Sequence, residues 1–391
     1  MKKFATGFAA LCASAGALAQ VAPATPIAQA APAAPAVAPA SSGGLQVYGV
    51  ADISLARYRT SGESKTAMHA GGSGSRIGFL ATESLGQGWK IAGRFEAGIN
   101  LDTGSSSSTN GNPNRVFSRQ AYVELAHRDL GSLRVGRQQG PTYDFFPTYD
   151  PMLLPAMDAW GVVTTLGNPA PGVASGTGAP TGFLINPTGR TENTVGYTSP
   201  RLGGVQGRLS YSPNEGVATK ANLLEAGLDY VAGPLQLGLL YVKAGATDGA
   251  GAVLATESNS ELAFGAKYQA GPVHPYFSYI RRDSTDPTRR AGGGVLNGNE
   301  ETVRLFGLAI PVSARGTVRM TYGLYASGAA DSDAKNYGIA YTYEVNRRLM
   351  LMAAVTHLSQ ESAARYPVFQ SPIPRAGESV DAITTGLTWR F

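Results

Sequence analysis

The sequence has almost no cysteine: Cys12 is the only one among 391 residues. A chain with one thiol holds no disulfide framework, no cysteine-ligated metal site and no CxxC redox pair. Histidine is nearly as scarce, with four residues at 69, 127, 274 and 357, too scattered for a metal-ligand motif. Long apolar runs are missing as well. Beyond the first twenty residues no stretch approaches the ~20 apolar residues that a membrane-spanning helix requires. Charge is thin at 15% of residues, and no run of Lys and Arg marks a nucleic-acid surface.

Catalytic patterns fail on inspection. His127-Arg128-Asp129-Leu130 imitates a kinase catalytic loop, but Arg134 stands where that motif needs Asn. The glycine-rich stretch Gly71–Gly78 follows no buried strand and opens no helix, so it is no phosphate cradle. No clustered acid–base set stands on the loops. The expectation is a protein that is not an enzyme and uses no cofactor or metal.

What the sequence does contain begins with an export signal at residues 1–19. Lys2 and Lys3 precede a short apolar core, Phe4 to Ala17, and Ala17-Leu18-Ala19 forms an A-x-A cleavage site. Leu11 replaces the small residue that a lipoprotein signal wants before its cysteine. Cleavage would remove the only thiol and leave 30 basic residues against 27 acidic, a net of +3. Residues 20–44 are uncharged and rich in Ala and Pro, which favours an extended, coreless segment on the periplasmic side.

From residue 45 to 391 the chain alternates. In Lys90–Asn100, Ile91, Gly93, Phe95, Ala97 and Ile99 interleave with Lys90, Ala92, Arg94, Glu96 and Asn100. Short Gly- and Pro-rich connections, such as Leu85–Gly88 and Ala270–Pro272, alternate with long polar ones, such as Thr60–Gly74 and Gln139–Arg190. Seven short and eight longer connections join sixteen strands. The last strand has Ile383, Thr385, Leu387, Trp389 and Phe391 on one face and Ala382, Thr384, Gly386, Thr388 and Arg390 on the other. A strand greasy on one side, polar on the other and ending on an aromatic suits closure of a membrane barrel. A soluble β-sandwich would bury Lys90, Arg94 and Glu96, whereas a barrel lets them face lumen water. The tyrosines, among them Tyr48, Tyr58, Tyr211, Tyr230, Tyr268, Tyr276, Tyr337 and Tyr343, are expected near strand ends at the lipid–water boundary. The fold class is therefore all-β, a 16-stranded antiparallel transmembrane β-barrel.

Several segments resemble the general trimeric porins of Gram-negative bacteria, particularly the β-proteobacterial branch. They are Leu45-Gln46-Val47-Tyr48-Gly49-Val50-Ala51-Asp52, Ser75-Arg76-Ile77-Gly78-Phe79, the run from Phe95 to Gly104, Ser118-Arg119-Gln120-Ala121-Tyr122, Val135-Gly136-Arg137-Gln138, the run from Glu192 to Pro200, and the terminal Phe391. The resemblance covers about 45–391 of this sequence. It implies three copies per assembly in the outer membrane and an inward-folded third loop, residues 139–190, carrying Asp144, Asp150 and Asp158. It also implies basic wall residues facing that loop: Arg76, Arg94, Arg119, Arg134, Arg137 and Arg190, with Glu96 as a lumen acid. Leu387, Trp389 and Phe391 would form the signal read by the barrel-assembly machinery. Outer-membrane lipid and lipopolysaccharide are the remaining partners. Leu80 departs from the pattern by replacing a second basic residue, which thins the positive wall at that height. The resulting expectation is a water-filled, weakly anion-selective channel for small hydrophilic solutes and ions. A substrate-selective porin and an outer-membrane adhesin are the alternatives. One parity conflict stands in the sequence. If Arg119 faces inward in an unbroken strand, Ala121, Val123 and Leu125 must too, unless a bulge resets the register.

Overall fold

The computed structural model describes residues 43–70, 73–106, 115–152, 189–215, 221–247, 253–284, 300–326, 330–368, 371–372 and 374–391. The expected export signal, nearly all of the Ala/Pro segment and Asp158 lie outside these residues. Alternating side chains and Gly-rich turns produce antiparallel hairpins from end to end. The elements are β1 (Gly44–Arg59), β2 (Ser64–Ala70), β3 (Arg76–Gly86), β4 (Trp89–Gly98), β5 (Gln120–His127), β6 (Gly131–Gln139) and α1 (Pro141–Thr148). There follow β7 (Arg190–Thr198), β8 (Val205–Ser212), β9 (Leu223–Ala232), β10 (Leu235–Thr247), β11 (Val253–Tyr268) and β12 (His274–Ser284). The last are β13 (Glu300–Pro311), β14 (Gly316–Ala326), β15 (Ala334–Glu344), β16 (Leu349–Gln360) and β17 (Val380–Arg390).

Apart from β2 and β3, each strand pairs with its sequence neighbours, and β17 returns to β1 with Val50 opposite Arg390 and Arg59 opposite Asp381. Two backbone bonds complete the seam, from Gly49 N to Phe391 O at 2.9 Å and from Phe391 N to Gly49 O at 3.1 Å. The sheet is thereby closed and has no edge to protect. β2 and β3 both pair with β1 and make one interrupted stave, so the barrel has sixteen staves.

The interruption has a local cause. Ile53 faces Ala70 and Val50 faces Arg76, so two residues of β1 oppose five on the other strand. The buried Asp52 carboxylate holds the excess chain, accepting from Ser73 N at 2.6 Å, Gly74 N at 3.1 Å and Thr388 Oγ1 at 3.1 Å. The long connection expected over Thr60–Gly74 is therefore a tight turn at Thr60–Glu63 followed by strand.

Side-chain sidedness follows the two-residue period. Trp389 on β17 is 48% exposed and Phe391 just after it 51%, while Thr384 and Thr388 are 1% exposed. Leu239, Tyr241, Leu262, Phe264, Phe306, Tyr322 and Ile339 point outward in the same way. Tyr211, Tyr230, Tyr268 and Tyr337 are exposed on the outer surface, but Tyr48, Tyr58 and Tyr276 are buried on the inner face. Those three tyrosines correct the expectation of an interfacial position. They share strand parity with Asp52, Ser54 and Ser278, and parity overrides residue type.

Candidate functional site

The chain after β6 turns onto the inner wall. Gly140 leaves the strand, Pro141 sets the first turn of α1, and the helix lies against β8, β9 and β10. Thr142 Oγ1 donates to the buried Glu225, and Tyr149 OH donates to Asp229 Oδ1 at 3.0 Å. Ser278 Oγ donates to Tyr149 O at 3.1 Å, and the buried Arg319 guanidinium donates to Pro151 O at 2.7 Å. The segment thus crosses from β9 to β14 along the inside.

Glycines provide the seat for it. The paired residues Gly238 and Gly265 carry the Tyr149 ring, and a Cβ on either would come within 2.4 Å of it. Further along, Pro151 rests on Gly307 and Met152 on Gly338. Phe145, Phe146, Tyr149 and Met152 pack with Leu240, Val242, Ala263, Ile280, Val303 and Leu305 into one apolar cluster. The order of contacts shows how residues 140–152 are laid down. The remainder of the expected constriction loop, through 188, lies outside the described residues.

Opposite this seat stand the charges. Glu96 on β4 accepts from Arg119 Nε at 2.6 Å and from Tyr48 OH at 2.8 Å, with Arg76 Nε 3.6 Å away. Arg119 also reaches Tyr143 OH at 3.3 Å, and the Arg190 guanidinium lies 4.7 Å from the centre of the Tyr143 ring. Arg76 is fixed by the strand interruption, donating to Ser73 O at 2.6 Å and Gly74 O at 2.9 Å. Three arginines therefore converge on one carboxylate and one helix tyrosine.

The parity conflict at Arg119 is resolved by geometry. β5 begins at Gln120, with Gln120 and Tyr122 buried and Val123 and Leu125 exposed outside. Arg119 precedes the regular strand, its N–H bonded to Glu96 O at 3.1 Å, and Ser118, Arg119 and Gln120 are all buried. The backbone is kinked rather than pleated there, so Arg119 and Gln120 face inward together.

Arg94 and Arg134 lie on the short-turn side of this cluster. Arg94 sits over the Tyr48 and Tyr122 rings at 5.7 and 6.0 Å, and Arg134 over Tyr122 at 5.2 Å while paired with Glu124. Both line a cavity of about 480 Å³ under α1, together with Arg201, Arg208 and Lys267. Its acids are Asp144, 3.5 Å from Arg208, and Asp229, 2.7 Å from Arg201. Arg137 stands apart. The Gly136 bulge turns it toward Ser118 O at 2.8 Å and Glu192 at 4.0 Å, away from Glu96. Asp150 is buried and accepts from Met152 N at 2.9 Å, which is turn chemistry. Leu80 is buried on the inner face with Tyr48 and Ala92, an apolar patch where a cation was the usual pattern.

Sequence reading missed Arg201, Arg208, Lys267, Arg319 and the helix tyrosines. Parity held a signal for two of them. Arg208 alternates with the exposed Leu209 and Tyr211, and Lys267 adjoins the exposed Tyr268. Arg319 and Tyr149 act through the loop, and no local pattern shows where a loop lands.

The profile of the Gram-negative porin family matches residues 7–363. Outer membrane porin protein 32 of Delftia acidovorans is 27% identical over 359 residues, 88% of this chain and 93% of that protein. An outer membrane porin protein of Bordetella pertussis is 27% identical over 314 residues, 72% of this chain and 75% of that protein. Among solved structures, the anion-selective porin from Comamonas acidovorans superposes with a TM-score of 0.71 at 21% identity, covering 89% of this chain and 100% of that one. The trimer form of OmpT from Vibrio cholerae gives 0.59 at 15% identity, covering 90% and 100%.

Proposed function

This chain belongs to the Gram-negative porin family, and we propose that its channel prefers anions and assembles as a trimer. It is an outer-membrane porin, a passive channel for small hydrophilic solutes and ions. The observation that carries the preference is the file of cations on the β3–β9 wall and in the cavity below α1. Arg76 and Arg119 share Glu96 and Arg190 rests on the Tyr143 ring, while Arg134 pairs with Glu124, Arg201 with Asp229 and Arg208 with Asp144, beside Arg94 and Lys267. Charges on low-dielectric walls focus their field into the water between them, so a net positive file concentrates anions. The name of the Comamonas relative agrees with this sign.

The trimer rests on a second observation. Outward aromatics crowd the later strands, with Tyr197, Tyr211, Tyr230, Tyr241, Phe264, Phe306 and Tyr322 among the exposed side chains. Along β1 to β6 the outward apolar residues are mostly aliphatic, such as Val47, Leu55, Val123 and Val135, with Phe79, Trp89 and Phe95 the few aromatics among the described residues. A face poor in aromatics and bare of outward tyrosine suits a second copy of the chain better than a lipid boundary. The early strands and β17 would form the contact between copies.

The test is a planar bilayer with a tenfold salt gradient across it. Conductance steps in triplets and a reversal potential of anion-selective sign are expected. A cation-selective potential would overturn the arginine file, and single unlinked steps the trimer.

A further inference from the structure

The seam closes β1 only in part. Pairing with β17 begins at Val50, opposite Arg390, and Gly49 takes both backbone bonds of Phe391. Pairing with β3 begins earlier, at Gly44 opposite Thr82. The sheet therefore has no edge from Gly49 onward, but residues 44–48 are paired on one side alone among the described residues. Backbone bonds alternate sides along an antiparallel strand. Since the Gly49 N–H and C=O point at Phe391, those of Leu45 and Val47 point the same way, into the space past the chain terminus. Their side chains are 69% and 56% exposed. An open edge of this kind is a template for one more strand.

The chain itself supplies an occupant next to the opening. Residues 20–42 lead directly into Gly43, and a tethered segment outcompetes a free peptide through its high local concentration. The placement of proline in that segment decides which side of it can pair. Between 33 and 40 the prolines are Pro35 and Pro39, both odd-numbered. In an extended chain, residues of one parity direct their N–H groups to one side. Ala34, Ala36, Ala38 and Ala40 thus offer an unbroken row of donors, and the donors missing at Pro35 and Pro39 fall on the opposite side. A sheet tolerates proline in that arrangement, on an edge strand with its nitrogen turned to solvent.

We infer that residues 36–40 fold back and cover the free edge of β1, continuing the line of β17. A reversal at Ser41-Ser42 sets Ala40 opposite Gly43, Ala38 opposite Leu45 and Ala36 opposite Val47. Serine suits such a turn. The same register sets Pro39 opposite Gly44, where an added Cβ meets nothing within 4 Å. Ala34 would fall opposite Gly49, whose bonds Phe391 already holds, so the added strand stops at Pro35. The segment keeps the extended form that its composition favours. The inference rests on the closed barrel and not on what passes through it. The cover removes an edge that other chains could extend, and it ties the rest of the Ala/Pro segment to the barrel beside the C-terminus.

The experiment measures amide exchange at Leu45 and Val47 in the porin purified from outer membranes, its first residue fixed by N-terminal sequencing. Exchange should be slow in the intact protein. A chain shortened to begin at Ser42 should exchange at both positions on the order of tenfold faster, for the loss of one backbone hydrogen bond each. The Gly49 N–H, bonded to Phe391 O, is the internal control and should stay slow in every chain. Parity supplies a second comparison. Ala36→Pro/Ala38→Pro removes the donors that face β1 and should exchange like the shortened chain. Val37→Pro removes a donor on the solvent side and should exchange like wild type. Fast exchange in the intact protein, which needs no variant to fold, would overturn the proposal, because the edge is then open. Slow exchange in both the intact and the shortened chain would also overturn it and assign the edge to a second copy. Protection lost equally in Val37→Pro and the double variant would refute the register. A mature chain that begins beyond Ala40 would leave the slot without its occupant and end the proposal.

Discussion

The two halves of the inner wall are built differently. Along β3–β9 the inward side chains include Arg76, Arg94, Glu96, Arg134, Arg208, Glu225 and Asp229, most of them held in ion pairs or hydrogen bonds and several lining a cavity. Along β10–β17 they include Leu240, Val242, Ile280, Val303, Leu305, Met352 and Leu358, all buried, with polar groups such as Glu261, Arg282, Glu301 and Arg319 between them. The second half therefore carries the apolar inner patch that receives the 140–152 segment. Burying a charge without a partner costs several kcal/mol, whereas apolar side chains gain from being covered. A barrel can thus devote one half to water and ions and the other to holding a loop.

The change with the largest expected effect attacks the seat. Gly265→Val places a branched side chain where a bare Cβ already lies 2.3 Å from the Tyr149 ring. Tyr149 and α1 must lift toward the charged half. Overpacking of this kind costs about 1–3 kcal/mol, and the single-channel step should shrink while its variance grows. Gly207→Val on β8, where a Cβ meets only Ser199 Oγ at 3.8 Å, is the control and should conduct normally. If both variants show the wild-type step in bilayers, the seat does not position the loop.

Two arginines sharpen the other half. Arg119→Gln removes the 2.6 Å bond to Glu96 and the contact with Tyr143 OH. Glu96 keeps Tyr48 and Arg76, so the loss is expected near the cost of one charged hydrogen bond, about 1.5–3 kcal/mol, with the reversal potential moving toward cations. Arg94→Gln should separate the two readouts. Arg94 makes no ion pair among the described residues and rests on the Tyr48 and Tyr122 rings. Its loss should change the thermal midpoint little, by about 1 kcal/mol or less, and still lower anion preference. Equal thermal shifts for Arg94→Gln and Arg119→Gln would show that neither carries a distinct task.

These contrasts mark what the sequence could disclose. The sidedness of β17 was legible because lipid outside and water inside impose a strict two-residue period on Ile383 through Phe391. Arg94 and Glu96 were legible for the same reason, and Arg76 through the resemblance carried by Ser75 to Phe79. The kink at Arg119 was visible only as a conflict between its charge and the apolar Ala121, Val123 and Leu125 beyond it. The seat was not legible at all. Gly238, Gly265, Gly307 and Gly338 sit on four different strands, and only the register brings them under one loop. Inner apolar residues such as Leu240 and Val242 also break the greasy-out, polar-in rule, since their partners come from residues 145–152, about a hundred positions earlier in sequence.

The smallest expected effect concerns the loop end of the apolar half, where three connections are tied together across the barrel seam. The Glu378 carboxylate accepts from Ser61 Oγ, from Gly62 N at 2.8 Å and from Arg375 N at 2.7 Å. Tyr366 behind it is fully buried and donates to Ser332 O at 2.8 Å. The Ser61 hydroxyl, followed by the Arg375 and Gly62 N–H groups, holds the Glu378 pKa down at about 2, below its ordinary 4.5. A depressed carboxylate stabilises the folded arrangement fully above the ordinary value, and that contribution disappears as pH falls through about 2. Amide exchange at Gly62 and Arg375 should therefore stay slow, after correction for intrinsic rates, from pH 7 to 4.5 and gain speed only toward pH 2. Glu378→Gln should exchange faster at pH 7 already, with the conductance step unchanged because the charged half is untouched. Exchange that accelerates near pH 4 in the wild type would mean that Glu378 titrates as a free carboxylate, and that the seam is held by Tyr366 and its apolar neighbours alone.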